Sequence, residues 1–209
     1  PDNLNILNNE IKLSLNHENY NFETGFHAYE NLTINKSDRY QYILPYYNFD
    51  SVLNDKYFNG SISISSSGSN NLYETNNLKS NIINDLNYTS ENYITQNGFI
   101  NNFNINMKNL NSLGKKNSDY KSSPQIELVS LLEANTSLPL INKQENHNNY
   151  LTPKISFRVN PSDMKDYSSS VKKIDMGNIF SLNRLGLNDT FETGRSLTLG
   201  LDYKREKKD

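Results

Sequence analysis

The chain has 209 residues and a formal net charge of −2, and 34% of its residues are hydrophobic. A chain so close to neutrality has no basic field for nucleic acid, and the absence of cysteine excludes disulfides and thiolate metal sites. No apolar run reaches the ~18 residues that a transmembrane helix needs, so the sequence predicts no such helix.

Apolar residues recur at every second position in many short segments, which is the period of a strand with one apolar face. Both a soluble sheet and a transmembrane barrel give this pattern. Nine segments are predicted to be strands on this basis: 11–16, 20–29, 39–50, 57–66, 76–90, 98–108, 124–140, 150–159 and 194–204.

Two of these segments carry further expectations. Pro45 lies inside the third segment, and a β-bulge or a weakly paired position is expected there because proline has no N–H for the ladder. Val129 and Leu131 interrupt the alternation of the seventh segment, so a short helix over 126–134 is an alternative to a strand.

The links between the predicted strands alternate in length. Those at 17–19, 51–56, 91–97 and 141–149 are shorter, and those at 30–38, 67–75, 109–123 and 160–193 are longer. In an up-and-down meander all the long links then fall at one end, as in outer-membrane barrels. Asn97-Gly98 predicts a tight turn with a positive φ, and Ser66–Asn71 and Gly114–Ser118 are interpreted as solvated loops.

No catalytic or metal-binding constellation is evident in the sequence. The three histidines, His17, His27 and His147, are scattered, and none has a partner at metal-ligand spacing. Nucleotide-binding and hydrolase motifs do not occur. We therefore expect no enzyme activity, no cofactor and no metal.

The last third of the chain carries an unusual combination of motifs. Leu151-Thr-Pro-Lys154 opens a strand, residues 178–189 read NIFSLNRLGLND, and residues 196–203 read SLTLGLDY. This combination resembles the carboxy-terminal barrel of the LptD family of lipopolysaccharide-assembly proteins of Gram-negative outer membranes. The resemblance is sharp over about the last 60 residues, and 38–49 resembles a strand of that barrel more weakly.

The resemblance implies an antiparallel up-and-down transmembrane β-barrel, of which about nine strands here would form an unclosed curved sheet. It implies a non-catalytic translocon that inserts lipopolysaccharide into the outer leaflet of the outer membrane. The implied partners are an LptE-like lipoprotein plug, outer-membrane lipids and an LptA-like periplasmic bridge, reached through an N-terminal jelly-roll domain that this sequence lacks. Cysteines typical of that family are also missing.

By the same resemblance, six residues occupy the positions of the family motif, and we expect most of them to be structural: Asn178, Phe180, Asn183, Arg184, Gly186 and Asp189. Arg184 with Asp189 and Asn183 is the most distinctive polar cluster. Either Arg184 holds the long loop to the barrel wall by charge-assisted hydrogen bonds, or it meets an anionic glycolipid.

Barrel geometry assigns the two faces of the last two strands. The candidates for facing lipid are Ile155, Phe157, Val159, Leu197, Leu199 and Leu201. The candidates for facing the lumen are Lys154, Ser156, Arg158, Ser196, Thr198 and Asp202, together with Gly200.

Two other functions remain open from the sequence. One is a passive porin or receptor barrel, and the other is a soluble all-β binding or adhesion module. Because the sequence begins at Pro1 and does not end on an aromatic-terminated strand, we also expect it to be an internal segment of a longer protein.

Overall fold

The structure, a computed structural model, describes residues 5–34, 37–55, 59–74, 76–163, 167–168, 172–187 and 190–208. A 3₁₀ turn spans Ser37–Arg39. The strands are β1 (Ile6–Asn16), β2 (Tyr20–Asn31), β3 (Tyr40–Asp55), β4 (Gly60–Tyr73), β5 (Asn77–Ser90), β6 (Tyr93–Ile94), β7 (Ile100–Lys115), β8 (Gln125–Ser137), β9 (Leu140–Lys143), β10 (His147–Asn160) and β11 (Gly194–Lys207).

All eleven strands belong to one antiparallel, unclosed sheet. Its order is β1-β2-β3-β4-β5-β7-β8-β10-β11, and the short strands β6 and β9 pair with β7 and β10. The long strands therefore follow one another as an up-and-down meander, which agrees with the expected strand order. Within the described residues, no helix is both long and apolar enough to cross a membrane.

The chain divides into two compact units. The first unit comprises residues 1–53, 63–86 and 108–128, and the second comprises residues 54–62, 87–107 and 129–209. In the first unit, β1 pairs with β2 along its whole length, from Ile6↔Asn31 to Asn16↔Asn21. In the second unit, β10 pairs with β11 from His147↔Lys207 to Asn160↔Gly194.

The interpretation of Ser66–Asn71 as a solvated loop is wrong. β4 continues through this stretch to Tyr73, and the supposed long link shrinks to 74–76. The reason is that the polar side chains find partners on the next strand: Ser66 Oγ donates to Asn84 Oδ1 at 2.7 Å, and Ser69 Oγ donates to Asn81 Oδ1 at 3.1 Å. Cross-strand pairs of this kind override the local preference of serine and asparagine for turns.

The predicted alternation of link lengths therefore fails at 74–76. It also fails over 91–99, 116–124 and 138–146, because these three links between long strands are equal in length. The link at 161–193 is long, as predicted. The loop predicted at Gly114–Ser118 starts too early, since β7 runs to Lys115. The alternative helix over 126–134 is also wrong, because this stretch lies within β8. Val129 and Leu131 belong to the buried face of that strand, which explains why they interrupt the apolar phase.

Two local predictions are confirmed. The pairing of β2 with β3 shifts register between Gly25 and His27, opposite the Ile43–Tyr46 stretch that contains Pro45. Gly98 has a φ of +82°, and its N–H donates to the Thr95 carbonyl in a tight turn. A missing N–H and a positive φ are both properties of single residues, so sequence alone locates them.

Candidate functional site

The two faces of β10 have opposite chemistry. Ile155 and Phe157 are exposed on one face, whereas Ser156, Arg158 and Asn160 are buried on the other. Val159, in phase with the exposed pair, is half-buried. Over residues 155–160 the strand thus buries its polar side chains and leaves its apolar ones more exposed.

The same arrangement continues across to β11. Leu197 and Leu199 are 64% and 70% exposed and lie opposite Phe157 and Ile155, so the four side chains form one apolar surface. Thr198 is buried on the other face, opposite Ser156. Leu201 and Asp202 are both exposed, and Asp202 binds Lys154 at 2.8 Å.

Burial in the described part of the chain favours polar over apolar residues. The buried apolar residues are Tyr46, Leu110, Val129, Leu131, Leu185 and Phe191. The buried polar residues are more numerous: Asn106, Lys108, Ser112, Glu133, Ser156, Arg158, Asn160, Arg184, Thr193 and Thr198. This ratio is the reverse of that in an ordinary soluble core.

Four charged residues meet on the buried face of the second unit, and we call Glu133, Arg158, Arg184 and Glu192 the ionic cluster. Arg184 donates from Nε and Nη2 to the two oxygens of Glu192, at 2.9 and 2.7 Å. Arg158 Nε lies 3.4 Å from Glu133 Oε2, which is an ionic contact rather than a directed hydrogen bond. Two cations and two anions balance, as buried charges require.

The ionic cluster fastens the loop 161–193 to the sheet. Arg158 is only 3% exposed, and it donates to the carbonyls of Ser181 and Leu182 in that loop. Arg184, also in the loop, donates to Ser196 Oγ on β11 at 3.1 Å. Each arginine therefore links a strand to the loop, and both are almost completely buried.

The carboxylate that Arg184 binds is Glu192, a pairing that was not predicted from the sequence. Asp189, the partner expected from the motif, lies outside the described residues. Asn183 is engaged elsewhere, since its side chain bonds the backbone N–H and C=O of Leu187 at 2.8 and 2.6 Å and closes a turn.

The other described motif residues shape or cover the loop. Asn178 Oδ1 accepts from the Asp175 N–H, and Gly186 adopts a φ of +69°, which disfavours any side chain. Phe180 lies against Gly200 of β11 so closely that a Cβ there would be 2.6 Å from its ring. The ring also receives Lys154 Nζ at 4.4 Å from its centroid.

A second anchor holds the end of the loop. Tyr167 Oη donates to the Phe191 carbonyl and accepts from the Thr193 N–H, and Asn160 Nδ2 donates to the same carbonyl. Phe191 packs with Val129 and Leu131 in a small apolar cluster.

Sequence reasoning missed Glu133, and it did not pair Glu192 with Arg184. Glu133 could have been found from the sequence. It lies on the same face of β8 as Val129 and Leu131, and a carboxylate on a buried face needs a partner. The identity of that partner depends on the register Arg158↔Glu133, which no local pattern contains.

The first unit arranges its polar side chains differently, in a row of hydrogen bonds that we call the amide ladder: Tyr47, Ser66, Asn84 and Asn109. Tyr47 Oη and Ser66 Oγ are 3.0 Å apart, Ser66 donates to Asn84 at 2.7 Å, and Asn84 donates to Asn109 at 3.1 Å. Asn84 lies two residues from both Ile82 and Leu86 on β5, so the ladder lies on a face that also exposes apolar side chains.

Within the described ranges, no group of three His, Asp or Glu side chains is placed to hold a metal ion. Comparison with models of protein families and with curated proteins finds no match for this chain.

Proposed function

We propose that the chain is part of a transmembrane β-barrel in the outer membrane of a Gram-negative bacterium. We further propose that the barrel transports lipopolysaccharide and inserts it into the outer leaflet. The observation that carries the proposal is the sidedness of β10 and β11, with aliphatic side chains exposed and polar ones buried.

The exposed aliphatic surface is continuous across neighbouring strands. Leu132 of β8 lies opposite Val159 of β10, and Phe157 lies opposite Leu197 of β11. In water such a surface is costly, at about 25 cal/mol for each Å² of apolar area. Hydrocarbon removes this cost, provided that the strands satisfy their backbone hydrogen bonds within the sheet.

The opposite face offers a hydrophilic surface suited to a sugar-bearing headgroup. It carries the ionic cluster and, beside it, the Lys154–Asp202 pair. In this proposal the acyl chains stay with the apolar face, while the headgroup passes along the polar one.

The specific cargo and the partners rest on the resemblance of residues 151–203 to the LptD family. The geometry supports a structural role for the motif at residues 178–189, because its described residues hold the loop 161–193 over the polar face. The LptE-like plug and the LptA-like bridge are proposed partners of the whole protein.

The proposal is tested by depleting the full-length protein in its own host. Newly made lipopolysaccharide is then expected to accumulate in the inner-membrane fraction and to fall at the cell surface. Plasmid-borne wild-type protein and a variant with the exposed pair Lys204→Ala and Glu206→Ala should both restore surface delivery.

Two results would contradict the proposal. Normal surface lipopolysaccharide combined with reduced uptake of small solutes would indicate a passive porin. Recovery of the protein in the soluble fraction would favour a binding or adhesion module.

A further inference from the structure

A pocket with both polar and apolar walls lies between the loop 161–193 and the strands β7, β8 and β10, with a volume of about 230 Å³. We call it the β7–β10 pocket; its wall includes Ile100, Asn102, Asn135, Ser137, Lys154 and Phe180. All of these residues belong to the second unit. We infer that this pocket binds a single neutral sugar ring.

Hydrogen-bonding capacity is the first argument. Both N–H donors of Asn135 are engaged, one with Asn102 Oδ1 at 3.1 Å and one with Glu133 Oε1 at 2.9 Å. The amide is therefore held in one orientation, and its Oδ1 is left as an acceptor among the described contacts. Ser137, which lies on the same face of β8 and opposite Lys154, brings a hydroxyl that can donate and accept.

Charge is the second argument. Lys154 Nζ supplies N–H donors, but its charge is offset by Asp202 at 2.8 Å. The net field on a ligand is weak, so the pocket has no strong preference for an anion. Hydroxyl groups, which both donate and accept, match this set of partners better than a phosphate or a carboxylate does.

Shape and the aromatic wall are the third argument. A volume of about 230 Å³ is below the ~300–1,000 Å³ of drug-sized sites, so one ring fits and a longer chain must extend outside. Phe180 forms an apolar wall that is fixed in place by Gly200 and Lys154. A rigid ring beside polar groups suits a sugar, which has C–H faces and a hydroxyl rim.

The inference deepens the proposed function, because it gives the sugar of the transported headgroup a binding site on the polar face, and for a glycolipid ligand it rests on that function. Its test needs no transport and no host. The full-length protein is purified in a detergent without a sugar headgroup, and binding is followed by saturation-transfer NMR. The probes are glucose, galactose, N-acetylglucosamine, an alkyl glucoside below its micellar concentration, and the same alkyl chain without sugar.

At least one free sugar or the alkyl glucoside is expected to saturate, with a dissociation constant of roughly 1–10 mM. Binding of free sugar would indicate a soluble saccharide, and binding of the alkyl glucoside alone would indicate a glycolipid headgroup. Binding of the plain alkyl chain with equal affinity, or saturation by none of the sugars, would overturn the inference.

Variants locate the site. Lys154→Met and Asn135→Ala should each weaken binding about tenfold, whereas Lys143→Met and Asn142→Ala, on exposed β9, should not. Ser137→Phe fills the pocket without removing a charge or an amide and should abolish binding. Unchanged affinity in all three pocket variants, with wild-type heat-modifiable migration, would also overturn the inference.

Discussion

The amide ladder of the first unit and the ionic cluster of the second satisfy polar side chains in different ways. The ladder is a row of neutral amides and hydroxyls, all half-buried. The cluster consists of full charges, and its arginines and Glu133 are almost completely buried. Each amide of the ladder contributes modestly, whereas a charge in the cluster becomes costly once its partner is removed.

The amide ladder and the ionic cluster also have different structural roles in the proposed barrel. The ladder lies on a face that exposes Ile82 and Leu86, where hydrocarbon would offer no partner to an amide. The cluster lies beneath the loop 161–193, and its bonds hold that loop in place. The amide ladder thus allows polar residues to lie on an apolar face, and the ionic cluster holds a loop over a polar face.

Breaking the ionic cluster should have the largest effect. Glu192→Ala leaves Arg184 without its bidentate partner and removes the second carboxylate near Arg158. We expect the free energy of unfolding to fall by about 3–5 kcal/mol, measured by denaturant titration of the full-length protein in vesicles. The matched control Glu206→Ala, at an exposed pair, should leave the free energy of unfolding nearly unchanged. An equal loss in the free energy of unfolding for the two variants would show that the ionic cluster does not stabilise the fold.

Breaking the ladder should have a smaller effect. Asn84→Ala removes the acceptor of Ser66 and the donor to Asn109, so two partners lose a bond. We expect a loss of about 1–3 kcal/mol in the same titration. Asn48→Ala, at an exposed position of β3, should stay within about 0.5 kcal/mol of wild type. A ladder variant that matches this control would mean that water, not protein, satisfies these amides.

The loop conformation can be tested separately from its charges. Gly186→Ala places a Cβ at a φ of +69° and 3.1 Å from the Lys172 side chain, so we expect a loss of about 1 kcal/mol. Gly177→Ala lies in the same loop without a positive φ and should cost clearly less. The comparison fails if the two substitutions have the same unfolding midpoint.

The smallest effect is expected at Lys79 and Asp119, in the first unit. A hydrogen bond from Lys79 at 2.7 Å lowers the pKa of Asp119 below its ordinary value. The folded state therefore favours the ionised carboxylate. The contribution of this pair to the stability of the fold is complete above the ordinary pKa of an aspartate, and it is lost as the pH falls through the lowered pKa of the folded state. NMR titration of the Asp119 carboxyl should show a lowered midpoint that returns to its ordinary value in Lys79→Met. A midpoint unaffected by this substitution would contradict the assignment.

Sequence predicted most of the fold because strand periodicity is local. Each of the nine predicted segments overlaps a strand, with boundaries that differ by several residues, and residues 57–58 lie outside the described part of the chain. The Pro45 bulge and the Gly98 turn were located correctly. Ser66–Asn71 failed because its turn propensity is overridden by Asn81 and Asn84 on β5, which a local window does not include.

The site was less predictable than the fold. The motif drew attention to Arg184, but its partner Glu192 and the contact of Arg158 with Glu133 depend on loop folding and strand register. The function of the exposed aliphatic face was equally hard to predict. Alternation of apolar and polar residues separates the two faces of a strand, but it does not tell whether each face contacts water or lipid.

The most direct test is to ask which solvent each face of β10 and β11 meets. This chain has no cysteine. After any cysteine elsewhere in the full-length protein has been replaced by serine, single cysteines introduced at Ile155, Phe157, Leu199, Lys154 and Asp202 can be spin-labelled in lipid vesicles. The proposed barrel predicts that labels at the three apolar positions collide with oxygen and are shielded from a water-soluble nickel complex, while labels at 154 and 202 show the reverse. Nickel access to 155, 157 and 199 equal to that at 154 and 202 would contradict a lipid-facing sheet.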